Sequence, residues 1–208
     1  MGTRNHNLPE KLKRNTKAHR IRKNKKKLDR SIEERPEEVE NRQEFGHWEA
    51  DLVVGQKSRN DQVLLTLVER KSREYWMLPI KNRHADSVMK AFNALQKTYS
   101  EHFSQVFKKI TTDNGSEFSR LSELEELSET LVFCTHPYMS CEKGTNERHK
   151  GIIRRFIPKG KRIDDFDVDY IADIEIWCNS LPRKILNYRA PDEVFEDELD
   201  RIYRQTAS

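Results

Sequence analysis

From residue 47 onward the chain alternates apolar and polar positions in short bursts. His47 to Val54 reads as a strand, with Trp48, Ala50, Leu52 and Val54 on one face and Glu49, Asp51 and Val53 on the other. Gly55 and the polar run behind it make a turn, and Gln62 to Val68 is a β-rich run suited to a central strand. Glu69 to Arg73 turns again, and Glu74 to Ile80 is a third strand. Pro79 near its end suits a sheet edge or a bulge. Three short strands with short connections predict an antiparallel meander.

The period then changes. Val88, Phe92, Leu95 and Tyr99 form a helical stripe, Val106 to Thr112 reads as a fourth strand, and a polar helical stretch follows around 120–130. Leu131 to Thr135 is a fifth strand, residues 145–157 and 168–180 read as helices, and Pro191 opens a last one in its first turn. This order predicts an α/β fold with a mixed five-stranded sheet, three antiparallel strands then two more, flanked by helices.

Composition sets a boundary on that body. Nine of the first 45 residues are apolar and none before Phe45 is aromatic, too few to offset the entropy of ordering that stretch by itself. Residues 1–45 are therefore expected to be a basic arm and an acidic linker, largely extended or disordered, with the folded core at 46–208. Residues 1–30 carry a charge of +10, whereas 31–208 carry −6. A basic arm ahead of a mildly acidic body suits a polyanion partner, because each Lys or Arg at a phosphate releases a condensed counterion. A solvated tail without a specific partner has the same composition. The chain has no apolar run long enough to span a membrane and no apolar leader. Three cysteines without a C-x-x-C fit a reducing cytoplasm rather than a disulfide framework.

Three carboxylates stand out by position. Asp51 lies inside a strand between Ala50 and Leu52, where burial is costly without a partner or a metal. Asp113 follows the fourth strand in T-T-D-N-G-S-E-F, at the sheet end where α/β folds present ligand groups. Glu147 opens a helix whose wheel puts Glu147 and Arg154 on one line and Ile152, Ile153, Phe156 and Ile157 opposite. Such a set can hold two Mg²⁺ ions about 3.5–4 Å apart across a scissile phosphodiester. Asp61, Glu69 and Glu117 are nearby acids that could be substitutes or surface residues.

The segments H-W-E-A-D, T-L-V-E-R-K-S-R, T-D-N-G-S-E-F, K-G-T-N-E-R-H-K-G-I-I-R-R-F-I-P-K-G and L-P-R-K-I-L-N-Y-R-A-P occur in this order. Together they resemble the catalytic core of bacterial insertion-sequence transposases of the IS-thirty family, from about Leu8 to Phe195. Asp113 and Glu147 are separated by 33 residues, the spacing of that family's Asp-Asp-Glu triad. The resemblance implies a ribonuclease-H-like integrase core. It implies that Asp51, Asp113 and Glu147 are catalytic and bind two Mg²⁺, with Mn²⁺ as a substitute, and that Arg154 contacts transposon-end DNA. It further implies strand cleavage followed by strand transfer, with terminal inverted repeats and target DNA as partners, a homo-oligomer that brings two ends together, and a cytoplasmic, nucleoid-associated protein. Lys150, Lys159 and Lys161 are added as candidate DNA contacts.

The chain also departs from the family pattern. Family members carry a helix-turn-helix region ahead of the core, and the 45 or so residues before His47 show no such pattern, so the chain is expected to be an N-terminally truncated portion. Cys141 stands where the family usually has Trp, and Lys150 where Asn is usual. An inactive or regulatory DNA-binding fragment is the alternative reading. Trp76 and Trp177 are expected in the core rather than as base-stacking platforms.

Overall fold

The computed structural model describes residues 30–36, 38–56, 61–136 and 144–206, with backbone alone at 38, 144–148 and 206. The arm 1–29 and Cys141 lie outside the described residues. In chain order the elements are β1 (Arg30–Ser31), α1 (Glu38–Asn41), β2 (His47–Val54), β3 (Val63–Glu69), β4 (Tyr75–Ile80), α2 (Ala85–Tyr99), α3 (Phe103–Val106), β5 (Lys109–Thr112), α4 (Glu123–Leu127), β6 (Leu131–Cys134), α5 (Gly144–Phe156), α6 (Val168–Ser180) and α7 (Pro191–Thr206).

The sheet has six strands in the order β1-β6-β5-β2-β3-β4. The β2, β3 and β4 pairings are antiparallel, as the meander predicts, and β5, β6 and β1 add in parallel. The sequence predicts five strands. The sixth is the two-residue β1, paired to Phe133 and Cys134 of β6, and it is too short to show any alternation. The stretch around it, expected as linker, packs here: Val39 and Phe45 are buried, and Arg35 donates to Thr111 Oγ1 at 3.0 Å. The strand predicted from Val106 starts at Lys109, because Phe103, Val106 and Phe107 bury at helical spacing and the Phe107 N–H donates to the Phe103 carbonyl.

The alternation of β2 sorts the molecule into two layers. Trp48, Ala50 and Leu52 point into a large apolar cluster with Val63, Leu65 and Leu67 of β3, Ile110 of β5, Val88 and Phe92 of α2, and Phe195 of α7. Aromatic rings dominate it: Trp48 stacks on Phe107 at 4.8 Å between centroids and meets Trp76 at 4.5 Å, and its Nε1–H donates to the Val106 carbonyl at 2.7 Å. On the other face Val53, Leu64, Val68, Tyr75 and Met77 meet Ile153 and Ile157 of α5 and Ile171, Ile174 and Cys178 of α6.

The sheet edge at β4 is closed by side chains rather than by another strand. Asn179 of α6 accepts from the Tyr75 N–H at 3.0 Å and donates to the Tyr75 carbonyl at 2.8 Å. Glu175 accepts from the Met77 N–H. Pro79 follows in the same alternation and has no N–H to satisfy. The expectation that Pro79 marks an edge therefore holds, and the edge is shielded against strand addition. Trp76 joins the core as expected, whereas Trp177 is 40% exposed with its edge on Phe156.

Candidate active site

Asp51 sits on the face of β2 opposite the aromatic core, in line with Glu49 and Val53. Its neighbours along the strand are covered differently. Glu49 is fully buried under Arg70, whose Nη1 reaches it at 2.8 Å while Nη2 turns to Glu40 at 3.3 Å. Val53 is buried under α5 and α6. Asp51 lies between these covers, with its side chain 10% exposed. Its Oδ1 accepts from the Leu52 N–H at 2.8 Å, and its main-chain carbonyl accepts from Thr66 Oγ1 at 3.2 Å.

The parallel register brings in Asp113. His47 pairs with Lys109, Trp48 with Ile110 and Glu49 with Thr111, and extending that register by two residues sets Asp113 opposite Asp51. Aligned residues of parallel strands point to the same face, and neighbouring strands lie about 4.8 Å apart. Asp113 is held from below by an Asx turn, in which the Gly115 N–H donates to its Oδ1 at 3.0 Å. The turn continues into the 3₁₀ segment Ser116–Phe118, and Phe118 anchors it in the core. A Cβ on Gly115 would lie 2.7 Å from Asp113 Oδ1 and 2.8 Å from Glu117 Oε2, so it would push both acidic side-chain ends aside.

Helix α5 lies over this face against β2 and β3. Lys150 reaches down from it, with Nζ 2.5 Å from Asp51 Oδ2. Glu147 is one turn earlier on the same helix, about 4.5 Å of rise, and its side chain lies outside the described residues. Arg154, on the helix line of Glu147, turns back to the sheet. Its Nη2 donates to the Val54 carbonyl at 2.8 Å, pinning the helix to the end of β2, and burial holds its pKa below the usual arginine value. Lys159 and Lys161 are exposed on the loop behind α5. That loop is seated by Asp61, a buried carboxylate that accepts from the Ile163, Asp164 and Gln56 N–H groups at 3.1, 3.2 and 3.3 Å. The sequence reading missed this role of Asp61, since nothing local marks a bond spanning a hundred residues.

Other titratable groups serve the frame. His149 is buried and stacks on Tyr75 at 4.6 Å, with Arg183 3.4 Å from its Nε2. His47 is fully buried beside Glu44, and burial pushes its pKa down to about 4, so the ring is neutral at pH 7. Glu74 is pushed up to about 8 and Glu175 to about 7, in both cases chiefly by burial at the β4 edge.

The site thus lies where a parallel strand pair flanked by an antiparallel meander runs under a helix. The integrase core domain model covers residues 41–140. Over that stretch the chain is similar to the integrase-core family. It is 39% identical over 91% of its length to the probable transposase for insertion-like sequence element IS1161 of Streptococcus salivarius, covering 53% of that protein. It is 34% identical over 82% of its length to the transposase for IS4351 of Bacteroides fragilis, and 32% identical over 79% to transposase InsI for IS30C of Escherichia coli K12, covering 50% and 42% of them. The resemblance to insertion-sequence transposases, IS-thirty members included, thus extends through most of the chain, which spans about half the length of these curated relatives. Among solved structures the catalytic core domain of BIV integrase matches with a TM-score of 0.55 at 18% identity, over 76% of this chain and 98% of that one. The HTLV-2 integrase catalytic core domain in complex with magnesium matches with a TM-score of 0.52 at 16% identity, over 73% and 97%. These likenesses show the fold of the chain to be ribonuclease-H-like, as in those catalytic cores.

Proposed function

We propose that this integrase core is the catalytic part of a transposase. It would perform divalent-metal-dependent DNA strand cleavage and strand transfer, with Asp51, Asp113 and Glu147 as its carboxylates. The observation that supports this reading is the parallel β2–β5 register, which, continued two residues beyond the Glu49–Thr111 pair, would bring Asp113 beside Asp51 on the face that α5, the helix of Glu147, lies across.

The donors fit hard divalent ions such as Mg²⁺ or Mn²⁺. They are carboxylate oxygens, the Asp51 oxygen already attracts a cation in the form of the Lys150 ammonium, and the space above Gly115 is kept free of a Cβ between two acidic side chains. Two bound ions would supply Lewis-acid stabilisation of the attacking and leaving oxygens. The chain itself supplies position. Leu52 and Gly115 N–H groups fix the two aspartates, Phe118 anchors the turn that carries Asp113, and Arg154 ties the α5 helix to β2.

The chemistry is two in-line displacements at phosphorus. Water attacks a phosphodiester, the P–O bond to the 3′ oxygen breaks, and a free 3′-OH results. That 3′-OH then attacks a target phosphodiester, forming one P–O bond as another breaks, with no covalent enzyme intermediate. Lys159 and Lys161, exposed on the loop behind α5, would meet backbone phosphates of terminal-repeat or target DNA. Arg154, committed on one side to Val54, acts first on the helix position. Two DNA ends must meet for transfer, so the active form is a homo-oligomer. No helix among the described residues is long and apolar enough to cross a membrane.

The test is an assay with terminal-repeat duplex, target plasmid and Mg²⁺ or Mn²⁺. Wild type should give nicked and joined products, and D51N, D113N and E147Q should each lose at least about a thousandfold. Equal activity in wild type and E147Q would overturn the reading. A second reading, an inactive or regulatory DNA-binding fragment, is favoured by the Lys150 ammonium on Asp51. It predicts salt-sensitive DNA binding and no product from any of the four proteins.

A further inference from the structure

Both oxygens of Asp51 are engaged. Oδ1 takes the Leu52 N–H at 2.8 Å, and Oδ2 takes the Lys150 ammonium at 2.5 Å. The pair is sheltered, since the carboxylate side chain is 10% exposed and the lysine side chain 32%. Lys150 comes from the same helix as Glu147, one turn on, so the pair also ties that helix to β2. An ammonium and a divalent ion repel each other strongly at contact distance, more so in a sheltered site than in water. They cannot both lie directly on Oδ2.

We infer that Lys150 is an internal counter-cation of the metal site, which an incoming divalent ion must displace from Asp51. This rests on the metal-binding reading of Asp51 above and adds a specificity-determining residue to it. The ammonium neutralises Asp51 and seats α5 while the ion is absent, and its displacement weakens metal binding by the strength of the ion pair. Other charges near this pair belong to the frame: Glu49 is matched by Arg70, and Arg154 is turned to Val54.

The test is calorimetric titration of the full chain with Mn²⁺ in the absence of DNA, together with the rise in Tm that Mn²⁺ produces. Wild type, K150Q, K150M, D51N and R155Q are compared, Arg155 being exposed on the same helix and serving as the control for net charge. K150Q and K150M should bind Mn²⁺ about three- to tenfold more tightly than wild type and show the larger Tm rise, while R155Q stays within about twofold. Circular dichroism checks that each variant is folded. Unchanged or weaker binding in both Lys150 variants, with D51N still impaired, would overturn this inference and leave the metal site standing. An equal gain in R155Q would reduce the effect to net charge and overturn it as well. Binding in D51N indistinguishable from wild type would remove both the metal-site reading and the inference.

Discussion

The two faces of β2 are built from neighbouring residues and do opposite work. Trp48, Ala50 and Leu52 enter a dry aromatic core, where Trp48 finds its one hydrogen-bond partner in Val106. Glu49 and Asp51, one residue away on either side of Ala50, carry charge into the opposite layer. Each charge there is matched by a cation from a distant segment, Glu49 by Arg70 and Asp51 by Lys150, and Asp51 also accepts from the adjacent Leu52 N–H. The apolar face fixes where β2 lies, and that rigidity lets the polar face hold carboxylates beside one another at a defined spacing. A site placed on a central strand inherits the precision of the core behind it.

This contrast can be broken most severely from the apolar side. Trp48→Ala removes the ring that stacks on Phe107 and meets Trp76, and should cost about 4 kcal/mol in urea unfolding. On the polar side, Glu49→Leu leaves Arg70 buried without its carboxylate and should cost about 3 kcal/mol, whereas Glu49→Leu with Arg70→Met should recover most of that loss. Full additivity of the two single effects would show that the pair is not coupled.

Gly115→Ala separates function from stability. The added Cβ would displace Asp113 or Glu117, and activity should fall about a hundredfold while the urea midpoint barely moves. Wild-type rates from a folded Gly115→Ala protein would show that the turn does not set the Asp113 position.

The β4 edge gives a smaller, pH-dependent effect. A carboxyl whose pKa is raised on folding binds more protons in the folded state, so stability falls as pH rises from the unfolded value near 4.5 to the folded value. For Glu74 that window ends at about 8 and for Glu175 at about 7. Glu74→Gln has no proton to lose. Its stability relative to wild type should therefore rise steadily between pH 5 and pH 8, by at most about 1.4 kcal/mol per pH unit. A pH-independent difference would mean that Glu74 is charged in the folded protein.

Much of this architecture is legible in local pattern. The alternation of His47–Val54 gave both faces of β2, the stripe through Val88 and Phe92 gave α2, and Pro191 marked the start of α7. Asp51, Asp113 and Glu147 stand out by position among several acids, and their choice as a triad comes from the resemblance to the transposase family. What local pattern could not show are bonds between residues far apart in the chain. Arg35 reaching Thr111, Asp61 seating the loop at Ile163, and Asn179 closing the β4 edge have no periodic signature. Arg154 is expected at DNA from the family resemblance and Lys150 is a candidate contact beside it, and neither expectation carries information on intramolecular partners. Packed against β2, one finds a carbonyl and the other a carboxylate.

The central claim is that Asp51 and Asp113 share a divalent cation. Crystals of the protein soaked in Mn²⁺ and measured for anomalous scattering test it most directly. The account predicts a peak about 2.2 Å from a carboxylate oxygen of each aspartate, with the Lys150 ammonium withdrawn from Asp51. A saturated soak with no peak between the two carboxylates, or with the ion bound elsewhere, would contradict it.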